Sequence, residues 1–110
     1  MKKSDFEEII RATLNQLPEA FQYALENVAI VVEDEPDGEE AGEELFGLYE
    51  GVSLLDRGAG HMGPPDRIRI FRGPILRACR SKNEVASEIR DTLIHELGHH
   101  MGLEEDDMPY

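Results

Sequence analysis

Cysteine is almost missing from this sequence: Cys79 stands alone among 110 residues. An intrachain disulfide is therefore impossible, which suits a reducing compartment, and the thiol reads as a small buried apolar side chain. No apolar run is long enough to span a bilayer. The opening Met1-Lys2-Lys3-Ser4-Asp5-Phe6-Glu7-Glu8 turns charged where an export signal turns apolar, so a cytoplasmic location is expected. Positive charge is scarce too: 11 Lys and Arg face 24 Asp and Glu, a formal net charge of −13. So acidic a surface repels phosphate backbones and anionic lipid heads, which excludes nucleic acid and membrane as expected partners. Repeats, low-complexity tracts and linkers are also missing. Residues 1–110 are expected to form one domain with its own core, and a monomer is favoured.

The charge that is present is sorted along the chain. Residues 33–50 carry Glu33, Asp34, Glu35, Asp37, Glu39, Glu40, Glu43, Glu44 and Glu50 without a basic residue. Residues 57–82 carry Arg57, Arg67, Arg69, Arg72, Arg77, Arg80 and Lys82 against Asp66 alone. Two solvated, mutually complementary surfaces are the first expectation, and a charge-sorted substrate groove the second.

Patterning predicts an α+β order. Ser4-Asp5-Phe6-Glu7 has the form of a capping box, and Phe6, Ile9, Ile10, Thr13, Leu14 and Leu17 follow at helical spacing. Pro18 ends that helix and suits the start of a second through Phe21, Ala24, Leu25 and Val28. Val28 to Val32 reads as a strand buried on both faces, and Glu33 to Glu44 as a mobile acidic loop. Phe46 to Leu54 alternates as a half-buried strand with two glycines, the mark of a bulge or a close backbone approach. Arg57 to Pro65 is a loop holding His61. Arg67 to Arg72 alternates again, with Ile68 and Ile70 inward, and Gly73-Pro74 should break it. Ile75 to Arg80 has room for a helical turn. Ser81-Lys82-Asn83-Glu84 is a second capping box, opening a last helix with Val85, Ala86, Ile89, Leu93 and Leu97 as its apolar stripe and Gly102 as its C-cap.

That last helix carries the chemistry. His95, Glu96 and His99 spell H-E-x-x-H, and Gly102 follows three residues later. Residues four apart on a helix lie about 40° from each other, so His95 and His99 can offer two imidazole nitrogens to one metal ion. Glu96 lies about 100° round from His95, placed to take a proton from water that the metal acidifies without being a ligand itself. With His95 counted as one, a third ligand of metzincin type would fall at position eleven, which is Glu105. Asp106 is the alternative. His100 points about 100° away from His99 and is expected behind the ligands or on the surface. Met101 and Met108 are expected to pack. Tyr49, His61 and Arg69 are the candidates for stabilising an oxyanion.

The segment Thr92 to Leu103 resembles the small bacterial zincin-like metallopeptidases, sometimes called minimal zincins. Leu17-Pro18-Glu19, Asn27 to Pro36, Leu48-Tyr49-Glu50-Gly51, Pro65 to Ile68 and Phe71 to Ile75 are similar to that family's other signatures. The resemblance implies a shortened zincin fold, helices packed on a small three- to four-stranded sheet with the H-E-x-x-H helix at the C-terminal end. It also implies a peptide or protein substrate lying along an edge strand, for which Phe46 to Leu54 is the candidate. The family's third ligand is typically an aspartate at position eleven, where this chain has Glu105. A zinc-dependent metallopeptidase with one Zn2+ per chain is the expectation. A metal-stabilised, catalytically silent peptide- or protein-binding module is the alternative.

Overall fold

The structure is a computed structural model that describes residues 1–51 and 66–102. Its elements run α1 (Lys3–Asn15), α2 (Glu19–Ala24), β1 (Val28–Glu33), β2 (Gly47–Glu50), β3 (Asp66–Phe71), α3 (Arg72–Ala78) and α4 (Lys82–His100). Short 3-10 turns follow α2 and precede β2. The architecture is α+β, as expected.

The sheet has the order β1-β3-β2, with β1 parallel to β3 and β2 antiparallel to it. The register pairs Ile30 with Ile68 and Val32 with Ile70 on one side, and Gly47 with Ile70 and Tyr49 with Ile68 on the other. These residues share one face, and all the helical layers gather there. α4 packs on β2 and β3, and α1 and α2 pack on α4. Ile68, Ile70, Ile75, Ile89, Leu93, Ile94 and Leu97 are fully buried between them, with Phe6, Ile10, Leu17 and Phe21 closing the far side. Each such side chain taken from water stabilises by about 1.5–3 kcal/mol.

The other face is ionic. Arg69, 5% exposed, pairs with Glu33 and Asp37 at 2.5 Å each and lies 3.5 Å from Glu50. Its guanidinium sits 5.1 Å from the centre of the Phe71 ring. Arg72 reaches Asp34, and Arg77 reaches Glu35 and Glu44. The acidic run and the basic run therefore pair with one another on a largely solvated surface, the first of the two expectations: Asp34, Glu35, Asp37 and Glu44 all stay exposed.

Four local expectations are corrected. α1 begins at Lys3 with no side-chain cap, so Ser4 lies inside its first turn instead of capping it. β1 is an edge strand with Ala29 exposed, because β3 takes the centre. The loop after β1 is tied to Arg69, Arg72 and Arg77 by the ion pairs above. The strand ends at Phe71, just before Gly73-Pro74, but the helical turn expected from Ile75 begins earlier: α3 starts at Arg72, and Pro74 falls in its first turn, where a missing N–H costs nothing. Among the described residues no helix is long and apolar enough to cross a membrane.

Candidate metal centre

α4 starts as its sequence predicts. The Ser81 hydroxyl accepts from the Glu84 N–H at 3.1 Å, while Glu84 accepts from the Arg80 N–H at 3.1 Å. Val85, Ile89, Leu93 and Leu97, four apart, form the buried stripe. The helix stops after His100, and Gly102 takes a left-handed φ of +81°, a turn a side chain rarely allows. Its N–H caps the His99 carbonyl at 3.0 Å.

His95 and His99 lie on the flank of this stripe. Their rings are 4.6 Å apart in an edge-to-face arrangement, and their side chains are 34% and 36% exposed. Glu96 turns toward the sheet and is only 7% exposed. Its Oε1 accepts from the Tyr49 N–H of β2 at 2.8 Å. Its Oε2 lies 3.5 Å from His99 Nδ1 and 4.0 Å from His95 Nε2. Burial pushes the Glu96 carboxyl above the ordinary carboxylate range, against the opposing pull of His99, the Tyr49 N–H and His95.

One ligand atom from each of His95, Glu96 and His99 falls within 4.8 Å of the others. Two nitrogens at about 2.0–2.1 Å from one tetrahedral ion stand roughly 3.3 Å apart. The donor set, imidazoles beside a carboxylate, suits a borderline divalent ion, so the residues present fit a metal.

Among the described residues β2 borders the sheet, and it reaches this site through the side turned away from β3. Phe71 donates to the Phe46 carbonyl at 2.9 Å, so Gly47 and Tyr49 are the non-hydrogen-bonded positions of the antiparallel pair. Their backbone groups face away from β3, and the Tyr49 N–H meets Glu96 of α4. Gly47 makes room there: a Cβ on it would sit 2.6 Å from Thr92 Cγ2. His95 and Glu96 also line a cavity of about 420 Å³ between β2 and α4.

Behind the cluster lies a buried polar knot that the motif does not advertise. Asp66 and His100 are each 1% exposed, and His100 Nδ1 stands 2.7 Å from Asp66 Oδ2. The Tyr49 hydroxyl donates to the same Asp66 oxygen at 2.5 Å. His100 Nε2 is enclosed without a hydrogen-bond partner among the described residues. A ring that donates through Nδ1 leaves only a lone pair at Nε2, cheaper to strand than an N–H.

The structure thus brings His95, Glu96 and His99 together and turns His100 inward. Glu105, Asp106, His61 and Met108 lie outside the described residues, and Met101 packs on the core. Two of the oxyanion candidates are engaged elsewhere: the Tyr49 hydroxyl on Asp66, and Arg69 on the opposite face of the sheet. The motif gave no hint of the Tyr49 N–H or of Asp66. Parity held the missing signal, since Asp66 precedes Ile68 and Ile70 by even steps, and His100 follows Leu97 by three.

Residues 25–110 match the sequence profile of the zincin-like metallopeptidases, a span that holds the whole sheet, α3 and α4. Among solved structures the chain is similar to a conserved hypothetical protein from Thermus thermophilus. The two share 22% identity with a TM-score of 0.61, over 92% of this chain and 94% of that one. At that identity the likeness speaks for the fold alone. No curated protein matches the sequence significantly.

Proposed function

The chain belongs to the zincin-like metallopeptidase family, and from that premise we propose that it is a zinc-dependent hydrolase of peptide bonds. Glu96 carries the reading: a buried carboxylate beside two imidazoles four residues apart, one oxygen held by a strand N–H and the other turned to the rings. His95 and His99 would hold the ion, with Glu105 or Asp106 completing the protein ligands beyond the Gly102 turn. When bound, zinc supplies a Lewis acid that lowers the pKa of water from about 15.7 to about 7.

Glu96 serves as general base, taking a proton from the attacking water and giving it to the leaving amine. The Tyr49 N–H fixes Oε1, which leaves Oε2 to exchange the proton. Burial favours the exchange by making this carboxylate a stronger base than an exposed one. An extended peptide lies along the outer edge of β2, using backbone hydrogen bonds at Gly47. A cytoplasmic monomer completes the proposal.

The test joins metal content to turnover. The purified protein should hold about one zinc per chain. Chelation should abolish cleavage of a broad peptide library. Glu96→Gln should keep the zinc and lose roughly 10²–10⁴-fold in kcat. Equal turnover by that variant removes Glu96 from the mechanism. Zinc-dependent thermal stability without any turnover leaves the binding module in its place.

A further inference from the structure

The cavity between β2 and α4 has a composition that the hydrolytic chemistry does not require. Leu45 and Phe46 give it an apolar wall, and Glu88, Asp91 and Glu96 bring carboxylates. His95 also lines it, so it opens directly onto the metal centre. Among the described residues no Lys or Arg lines it. An acidic surface on a helix is ordinarily just solvated. Here, however, Glu88 is half-buried and Glu96 buried.

The rest of the chain supplies the contrast. Glu33, Asp34, Glu35, Asp37, Glu44 and Glu50 each pair with an arginine. No cation pairs with Glu88 or Asp91 among the described residues. Glu88 has the Thr92 hydroxyl beside it, and burial together with the Asp91 charge pushes its carboxyl above the ordinary range. The carboxylates of this cavity meet no Lys or Arg among the described residues, whereas the half-buried Glu33 and Glu50 at the sheet both reach Arg69.

We propose that this cavity is a specificity pocket that seats the side chain of an arginine or lysine in an extended peptide substrate. The aliphatic stem covers Leu45 and Phe46, while the cationic head meets Glu88 and Asp91. The volume, about 420 Å³, admits such a side chain with room for water. The backbone of the same peptide follows the outward groups of Gly47, which carry no sequence information, so the pocket supplies the selectivity that β-pairing lacks. The proposal rests on the peptidase reading for its substrate class, and its test separates the two.

Peptides that differ only by arginine or citrulline at one scanned position isolate charge from shape. With the zinc-loaded protein, kcat/KM should favour arginine by about five- to tenfold at a single position, as two partly exposed ion pairs allow. The preference should shrink with added salt. The double variant Glu88→Gln/Asp91→Asn should bring the ratio near one, and Glu88→Lys should invert it toward glutamate-bearing peptides. Both substitutions fall on the cleft side of α4, and thermal unfolding checks that the fold is kept. The same peptide pairs are titrated calorimetrically into zinc-loaded Glu96→Gln protein, which needs no turnover. Arginine-selective binding that is lost in Glu88→Gln/Asp91→Asn, with no cleavage by the natural chain, keeps the pocket and overturns the hydrolase. Cleavage with equal rates for arginine and citrulline keeps the hydrolase and overturns the pocket. Neither cleavage nor selective binding overturns both.

Discussion

His99 and His100 are neighbours in sequence and opposites in circumstance. His99 leans into the cleft with its side chain 36% exposed, beside His95 and Glu96. His100, one step of about 100° further round the helix, is sealed at 1% against Asp66. One imidazole is kept accessible at some cost to packing; the other ties the end of α4 to the first residue of β3 and, through Tyr49, to β2. The pair teaches that a candidate ligand and the residue that anchors its helix need not be far apart, only on different sides of one helix.

Three substitutions sharpen that contrast or break it. The largest effect belongs to Asp66→Ala. It strands His100 Nδ1 and the Tyr49 hydroxyl in an enclosed space, and should cost the metal-free protein about 3 kcal/mol. At about 4–8 °C per kcal/mol for a domain this size, calorimetry should show melting lowered by about 15 °C. His99→Ala should do the reverse. Its metal-free melting should stay within about 1 kcal/mol of the parent, since little buried surface is lost. Zinc affinity by chelator competition should fall beyond the roughly 10–100-fold that losing an outer partner costs. If Asp66→Ala abolished zinc binding while leaving melting unchanged, the division between the two histidines would be wrong. The smallest effect is expected at Gly47→Ala, about 1–2 kcal/mol by urea denaturation, from the clash of its Cβ with Thr92 Cγ2. Thr92→Ser deletes that methyl group, so the double variant should recover most of the loss.

The readability of this sequence followed the range of the forces involved. Ser81 and Glu84, the stripe from Val85 to Leu97 and the Gly102 stop are local, and α4 came out within a residue of its pattern. His95, Glu96 and His99 needed nothing but helical geometry to meet. Strand order was not legible, because β1 pairs with β3 across some forty residues and nothing in Val28–Val32 marks it as an edge. The early start of α3 at Arg72 was missed because a proline is forbidding inside a helix and harmless in its first turn. The Tyr49 N–H on Glu96 is invisible to any pattern of side chains, since the donor is backbone and its partner is 47 positions away.

The hydrogen bond from Tyr49 to Glu96 has a further consequence at the border of the sheet. β2 is four residues long, and one of its two outward amides already points into a carboxylate of its own chain. A stranger's strand looking for a ladder to climb finds one of those two rungs taken. Enzymes that must present a bare strand to their substrates run the risk of stacking on themselves into fibrils. Here the residue proposed for proton transfer also guards against that fate.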